Sequence, residues 1–173
     1  DTTALRTGNV TNVLDAGSIT TFEGVTNPTI TSGNLTVQTG IQVLKAFAPT
    51  SITSGGTSTT TITIRNYNAT TAAPLGFIDT FTGTAPATLT IASPLATGGT
   101  CVTVNGASFT TAVPGAKTFT TSGGSLPGVA VNAGSVFTSC TYTIDVTATN
   151  SATAPVTRRN TIPANTVGGL THA

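Results

Sequence analysis

The run Cys140-Thr141-Tyr142-Thr143-Ile144-Asp145-Val146-Thr147 switches between large apolar and small or polar side chains at every step. Successive side chains of an extended strand point to opposite faces, so such a run is buried on one side and wet on the other. The same period of two recurs in Ile41, Val43, Lys45 and Phe47 against Gln42, Leu44 and Ala46. It recurs in Ile62 and Ile64 between Thr61, Thr63 and Arg65, and in Leu75, Phe77, Asp79 and Phe81. Leu89 with Ile91, and Val102 with Val104, continue it. No segment carries the 3.6-residue period of an amphipathic helix. Gly and Pro cut the chain between these runs, for example at Gly55-Gly56, Pro74, Gly98-Gly99, Pro114-Gly115 and Gly123-Gly124. Short runs separated by turns roughly every 8–14 residues predict an all-β, antiparallel sandwich. Cys101 is out of phase with Val102 and Val104, which places it at a strand end.

Composition sharpens this. Thr and Ser fill about a third of the positions, while charged residues make up only 6% against about 25% in an average domain. Thr is β-branched and stiff at χ1, which favours strands. The net charge is +1 and the basic residues are scattered, so the concentrated surface that neutralises nucleic-acid phosphates is missing. No run of about 18 apolar residues exists to span a bilayer. A surface this poor in charge is expected to be covered, by neighbouring copies or by glycans, since charge normally keeps proteins apart. Solvation by hydroxyls alone is the alternative.

The chain opens at Asp1 without an initiator Met, as a mature exported product or an excised fragment does. Cys101 and Cys140 are the only cysteines, and no His lies near either to complete a metal site. Paired, they would close a loop of about 39 residues and stabilise the fold by about 4 kcal/mol. Unpaired, they would be buried thiols of a cytosolic protein. Asn12-Val13-Leu14-Asp15-Ala16-Gly17-Ser18-Ile19 parallels Asn160-Thr161-Ile162-Pro163-Ala164-Asn165-Thr166-Val167, which suggests one element repeated near both ends. The expected organisation is therefore an N-terminal strand extension over 1–38, resembling the end of a preceding unit, and a complete sandwich domain over 39–173.

Several segments together resemble bacterial cell-surface repeats of the domain of unknown function 11 type. They are Lys45-Ala46-Phe47-Ala48-Pro49-Thr50-Ser51-Ile52, Gly55-Gly56-Thr57-Ser58, Ile62-Thr63-Ile64-Arg65-Asn66 and Phe77-Ile78-Asp79-Thr80. Thr100-Cys101, Gly123-Gly124-Ser125-Leu126-Pro127, Cys140-Thr141-Tyr142-Thr143-Ile144-Asp145-Val146 and Asn160-Thr161-Ile162-Pro163-Ala164 complete the set. The resemblance covers about residues 41–164 and implies an immunoglobulin-like sandwich, a Cys101–Cys140 disulfide, a place in long exported surface proteins and no catalysis. Such repeats usually occur in tandem, whereas this chain holds one copy and part of another. It is then a piece of an array, or a subunit that rebuilds the array by donating a strand from 1–38 to the next copy's open sheet edge; the alternative for that strand is packing on its own domain.

Catalytic constellations are absent from the pattern. The single histidine, His172, is penultimate and cannot be relied on to serve a nucleophile. Of Asp1, Asp15, Glu23, Asp79 and Asp145 only Asp79 is in phase with core residues. No Asp-rich loop suits calcium, and the Gly pairs lack the Lys and helix of a phosphate cradle. No metal and no cofactor are expected. Lys45 and Asp79 nevertheless stand in apolar rows, where an unpaired charge is costly. They form a buried ion pair, or Lys45 snorkels to the surface, or, with Asn160, they are the set for an intramolecular isopeptide bond as in some surface sandwiches, in which a desolvated amine attacks a carboxamide with a carboxyl group assisting. Candidate glycosylation sites are Asn9, Asn34 and Asn68, each in an Asn-x-Thr triplet.

The functional expectation is a secreted structural subunit or repeat of an extracellular fibre, joined head to tail to copies of itself. The alternative is a ligand-binding adhesin domain for carbohydrate, another surface or ice. An enzyme is not expected.

Overall fold

The computed structural model describes residues 8–10, 13–31, 35–37, 40–83, 86–130, 134–158, 160 and 162. The chain divides into two compact units, Asp1–Thr39 and Gly40–Ala173.

The first unit is a ladder of short antiparallel pairs. Strand β1 (Gly8–Val10) pairs with β4 (Leu35–Val37), and β2 (Val13–Leu14) pairs with β3 (Ile30–Thr31). A further bridge joins Thr20 to Thr26. The tip is closed by Asn27, whose side chain accepts from the Ile19 amide at 2.8 Å and donates to the Asp15 carbonyl at 3.0 Å. The segment is thus a ribbon folded back on itself rather than one extended strand. Val13, Leu14, Ile19, Phe22, Val25 and Ile30 are all exposed, Phe22 completely.

The second unit is an antiparallel β-sandwich. One sheet runs β5 (Ile41–Ala48), β6 (Thr57–Asn66), β12 (Thr138–Asn150) and β8 (Ala87–Ile91), with β9 (Thr97–Gly98) also on β12. The other runs β10 (Ala107–Ala112), β11 (Thr118–Gly123) and β7 (Phe77–Thr80). Period-two burial sets the register: Cys140, Tyr142, Ile144 and Val146 turn inward from β12, beside Ile62 and Ile64 of β6. A one-residue slip would turn each of these rows out to water.

Aromatic rings join the two sheets. Phe77 and Phe109 stand edge-on to Tyr142, with centroids 5.3 and 5.7 Å apart, the geometry that the ring quadrupole favours. The Tyr142 hydroxyl donates to the Leu75 carbonyl at 2.7 Å, so the buried phenol keeps a partner. Asn66 is also fully buried. Its amide donates to the carbonyls of Thr70 (2.9 Å), Pro127 (3.1 Å) and Leu126 (3.3 Å), and its oxygen accepts from the Asn68 amide at 3.0 Å.

Cys101 and Cys140 form a disulfide, Cα atoms 4.9 Å apart. The strand expected around Val102 and Val104 is instead a single helical turn, α1 (Thr100–Thr103), and Val104 is exposed. The turn resolves the phase problem at Cys101, because a helical step lets the cysteine face inward where strand alternation could not. It also depends on Gly99, which has φ +101°; a Cβ there would lie 2.2 Å from the Thr141 carbonyl oxygen.

Candidate functional site

The inward row of β5 is Ile41, Val43, Lys45 and Phe47, and strand geometry carries Lys45 into the interior with its apolar neighbours. The inward row of β7 does the same for Asp79. The Lys45 side chain is 9% exposed and that of Asp79 not at all. Lys45 Nζ donates to Asp79 Oδ2, forming a salt bridge between the sheets. Asn160, beyond the end of β12, donates its Nδ2 to both Asp79 oxygens at 3.1 Å. The three residues named together from the sequence therefore meet at one carboxylate.

The surroundings are largely buried. The Phe81 ring lies 5.0 Å from Lys45 Nζ, where its electron-rich face favours a cation. Burial pushes the Lys45 amine below its ordinary pKa of 10.5, and the hydrogen bond and charge of Asp79 oppose that only in part. Asn160 Oδ1 is buried and finds no hydrogen-bond donor among the described residues. Ile162, two residues on, packs against the core. A primary amine, a carboxyl group and a carboxamide thus share one largely buried site.

The remaining sequence candidates are placed apart. Asn68 is half-buried and its Oδ1 accepts from the Gly40 amide at 2.8 Å. Asn9 lies in β1, where its side chain is not described, and Asn34 and His172 lie outside the described residues. Asp145 faces outward and accepts from Thr59 Oγ1 at 2.6 Å. Among the described residues no three His, Cys, Asp or Glu side chains gather where a metal could bind, and no helix is long and apolar enough to cross a membrane.

Two surfaces were not legible in the linear pattern. The outer face of the larger sheet aligns Thr59, Thr61 and Thr63 of β6 with Asp145, Thr143 and Thr141 of β12. An open groove of about 570 Å³ is lined by Phe47, Pro49, Ile52, Leu89, Ala148 and Val156, among others. Each draws on segments far apart in the chain, so only strand pairing brings their residues together.

No curated protein and no solved structure matches the chain. A family model does match, over residues 42–156, and it is not the surface-repeat family suggested by the order of motifs. The chain belongs to the family described as a domain of unknown function, DUF7933.

Proposed function

We propose that this chain is a structural module of an extracellular fibre in which copies join head to tail through the N-terminal ribbon. The observation that carries this is the ribbon itself: Val13, Leu14 and Ile30 on its paired strands and Ile19, Phe22 and Val25 in the connection between them are all exposed. A two-stranded ribbon is marginal by itself in water, and exposed apolar side chains in such density mark a surface made to be covered. The occupant we assign is the next copy, onto whose sheet edge the ribbon adds. Among the described residues β5 and β8 end the strand order of the larger sheet and β10 and β7 that of the smaller one. With charged residues at 6%, little repulsion opposes contact between copies.

A contact between different surfaces of successive copies need not close, so it propagates as a filament. The disulfide supports an oxidising, extracytoplasmic setting. Light scattering of the full chain across a concentration series, followed by electron microscopy, tests assembly. Growing particles that become filaments are expected, and Phe22→Ser with Ile30→Ser should leave monomers of unchanged melting temperature. A wild-type chain that stays monomeric at high concentration would overturn head-to-tail joining.

A second reading is favoured by the outer threonine face. Thr61 opposite Thr143 and Thr63 opposite Thr141 offer paired hydroxyls on one sheet surface, as a domain that adheres to carbohydrate or ice would. Binding to a glycan panel, or inhibition of ice recrystallisation, abolished by Thr61→Lys with Thr143→Lys, would establish it.

A further inference from the structure

We infer that Lys45 and Asn160 become joined by an intramolecular isopeptide bond, formed by the folded domain itself with Asp79 carrying the proton. This goes beyond the fibre reading and does not rest on it.

The geometry comes first. Lys45 Nζ and Asn160 Nδ2 are both bonded to Asp79 Oδ2, so amine and carboxamide lie within two hydrogen-bond lengths of each other. Holding reactants in place in this way replaces the entropy cost of an encounter, and attack requires only that Nζ close to about 3–3.5 Å from the amide carbon. Asn160 Nδ2, the group that must leave, already contacts both carboxylate oxygens at 3.1 Å. A proton taken from Nζ by Asp79 can be delivered to that nitrogen without any intermediary.

The chemistry balances from the residues present. In the ion pair, a proton moves along the hydrogen bond from the Lys45 ammonium to Asp79, leaving a neutral amine and a carboxylic acid. The amine lone pair adds to Asn160 Cγ, forming the new N–C bond. Asp79 hands its proton to the departing Nδ2 and takes one from the attacking nitrogen. The Cγ–Nδ2 bond breaks, and Nδ2 leaves as ammonia. The products are a secondary amide, one ammonia and protonated Asp79; no oxidant or other reactant is consumed.

Burial supplies the drive. A charged pair in an apolar site is disfavoured relative to neutral partners, and the desolvation that lowers the Lys45 pKa makes its free amine accessible. The buried Asn160 Oδ1 has no hydrogen-bond donor among the described residues, which leaves the carboxamide less well held than a fully bonded one.

The placement gives the bond a consequence. Lys45 is on the first strand of the sandwich and Asn160 lies beyond the last. Tension applied between the two ends of the domain would run through the side-chain amide, and the strands between would carry none of it.

Intact mass of the purified full chain, with the disulfide reduced, tests the inference. The wild type should be one ammonia lighter than its sequence, and tandem mass spectrometry should find a branched peptide joining Lys45 to Asn160. Lys45→Arg, whose guanidinium keeps the charge towards Asp79 but cannot be deprotonated, should show its full sequence mass, as should Asp79→Ala and Asn160→Ala. Asn105-Gly106 could also shed ammonia by closing on its own backbone, so Asn105→Ala must retain the deficit. A wild type at full sequence mass after folding, or a deficit lost in Asn105→Ala with no branched peptide, would overturn the bond.

Discussion

Lys45 of β5 and Asp79 of β7 reach across the interior from opposite sheets and form a salt bridge in which the carboxylate is wholly buried. Each belongs to an alternating row whose other members are apolar. A charge in such a row is tolerated only with its partner, so the two positions are energetically one.

Removing one partner should therefore cost more than removing both. In an Asn160→Ala background, where no side-chain amide can form, Asp79→Ala should destabilise the domain by about 3–5 kcal/mol because it strands a buried ammonium. Lys45→Met combined with Asp79→Leu should cost clearly less. Urea unfolding midpoints at constant slope check the order.

The pH dependence of the same background follows from Lys45. Its folded pKa lies below the 10.5 of the free side chain, so between the two values the unfolded chain holds a proton that the folded one lacks. Stability should climb as pH rises through that window, and Lys45→Met should flatten the climb. Tyr142 acts in the opposite sense. Burial raises its pKa above 10.0, so above that pH the unfolded chain ionises first and stability falls, unless Tyr142 is changed to Phe. Thermal melts between pH 8 and 11 distinguish the two slopes.

Reduction of the Cys101–Cys140 bridge should cost about 4 kcal/mol in that background, since the bridge closes a loop with a sequence separation of 39. Cys101→Ser with Cys140→Ser should match the reduced protein. Guanidinium unfolding with and without reductant makes the comparison.

Asn66→Ala should destabilise by about 2–3 kcal/mol, because the Asn68 amide loses its side-chain acceptor and the Thr70 carbonyl loses a donor. Asn66→Asp should cost more, since a carboxylate would face three carbonyl oxygens where the amide now donates. Calorimetric melting of the two variants shows the order.

Much of the sandwich was legible in the chain because burial on one sheet face imposes a period of two and nothing longer. The rows of β5, β6, β7 and β12 follow from that rule, and it also marked Lys45 and Asp79 as charges out of place. It failed at residues 100–104, where alternation suggested a strand. A left-handed glycine and a cysteine held to β12 make a helical turn there instead. The internal pairing of the N-terminal segment was not legible either, since a lone strand and a strand paired with its neighbour have the same local pattern.

What the amino-acid sequence determined by itself is which side chains are hidden, since polarity and strand period decide that residue by residue. Whether hidden groups meet, and at which atoms, was decided by the tertiary structure. Asp79 is 34 residues from Lys45 and 81 from Asn160, and no local rule relates them. They converge because two sheets close over one aromatic core, and burial in that core is what makes an unpaired charge there costly.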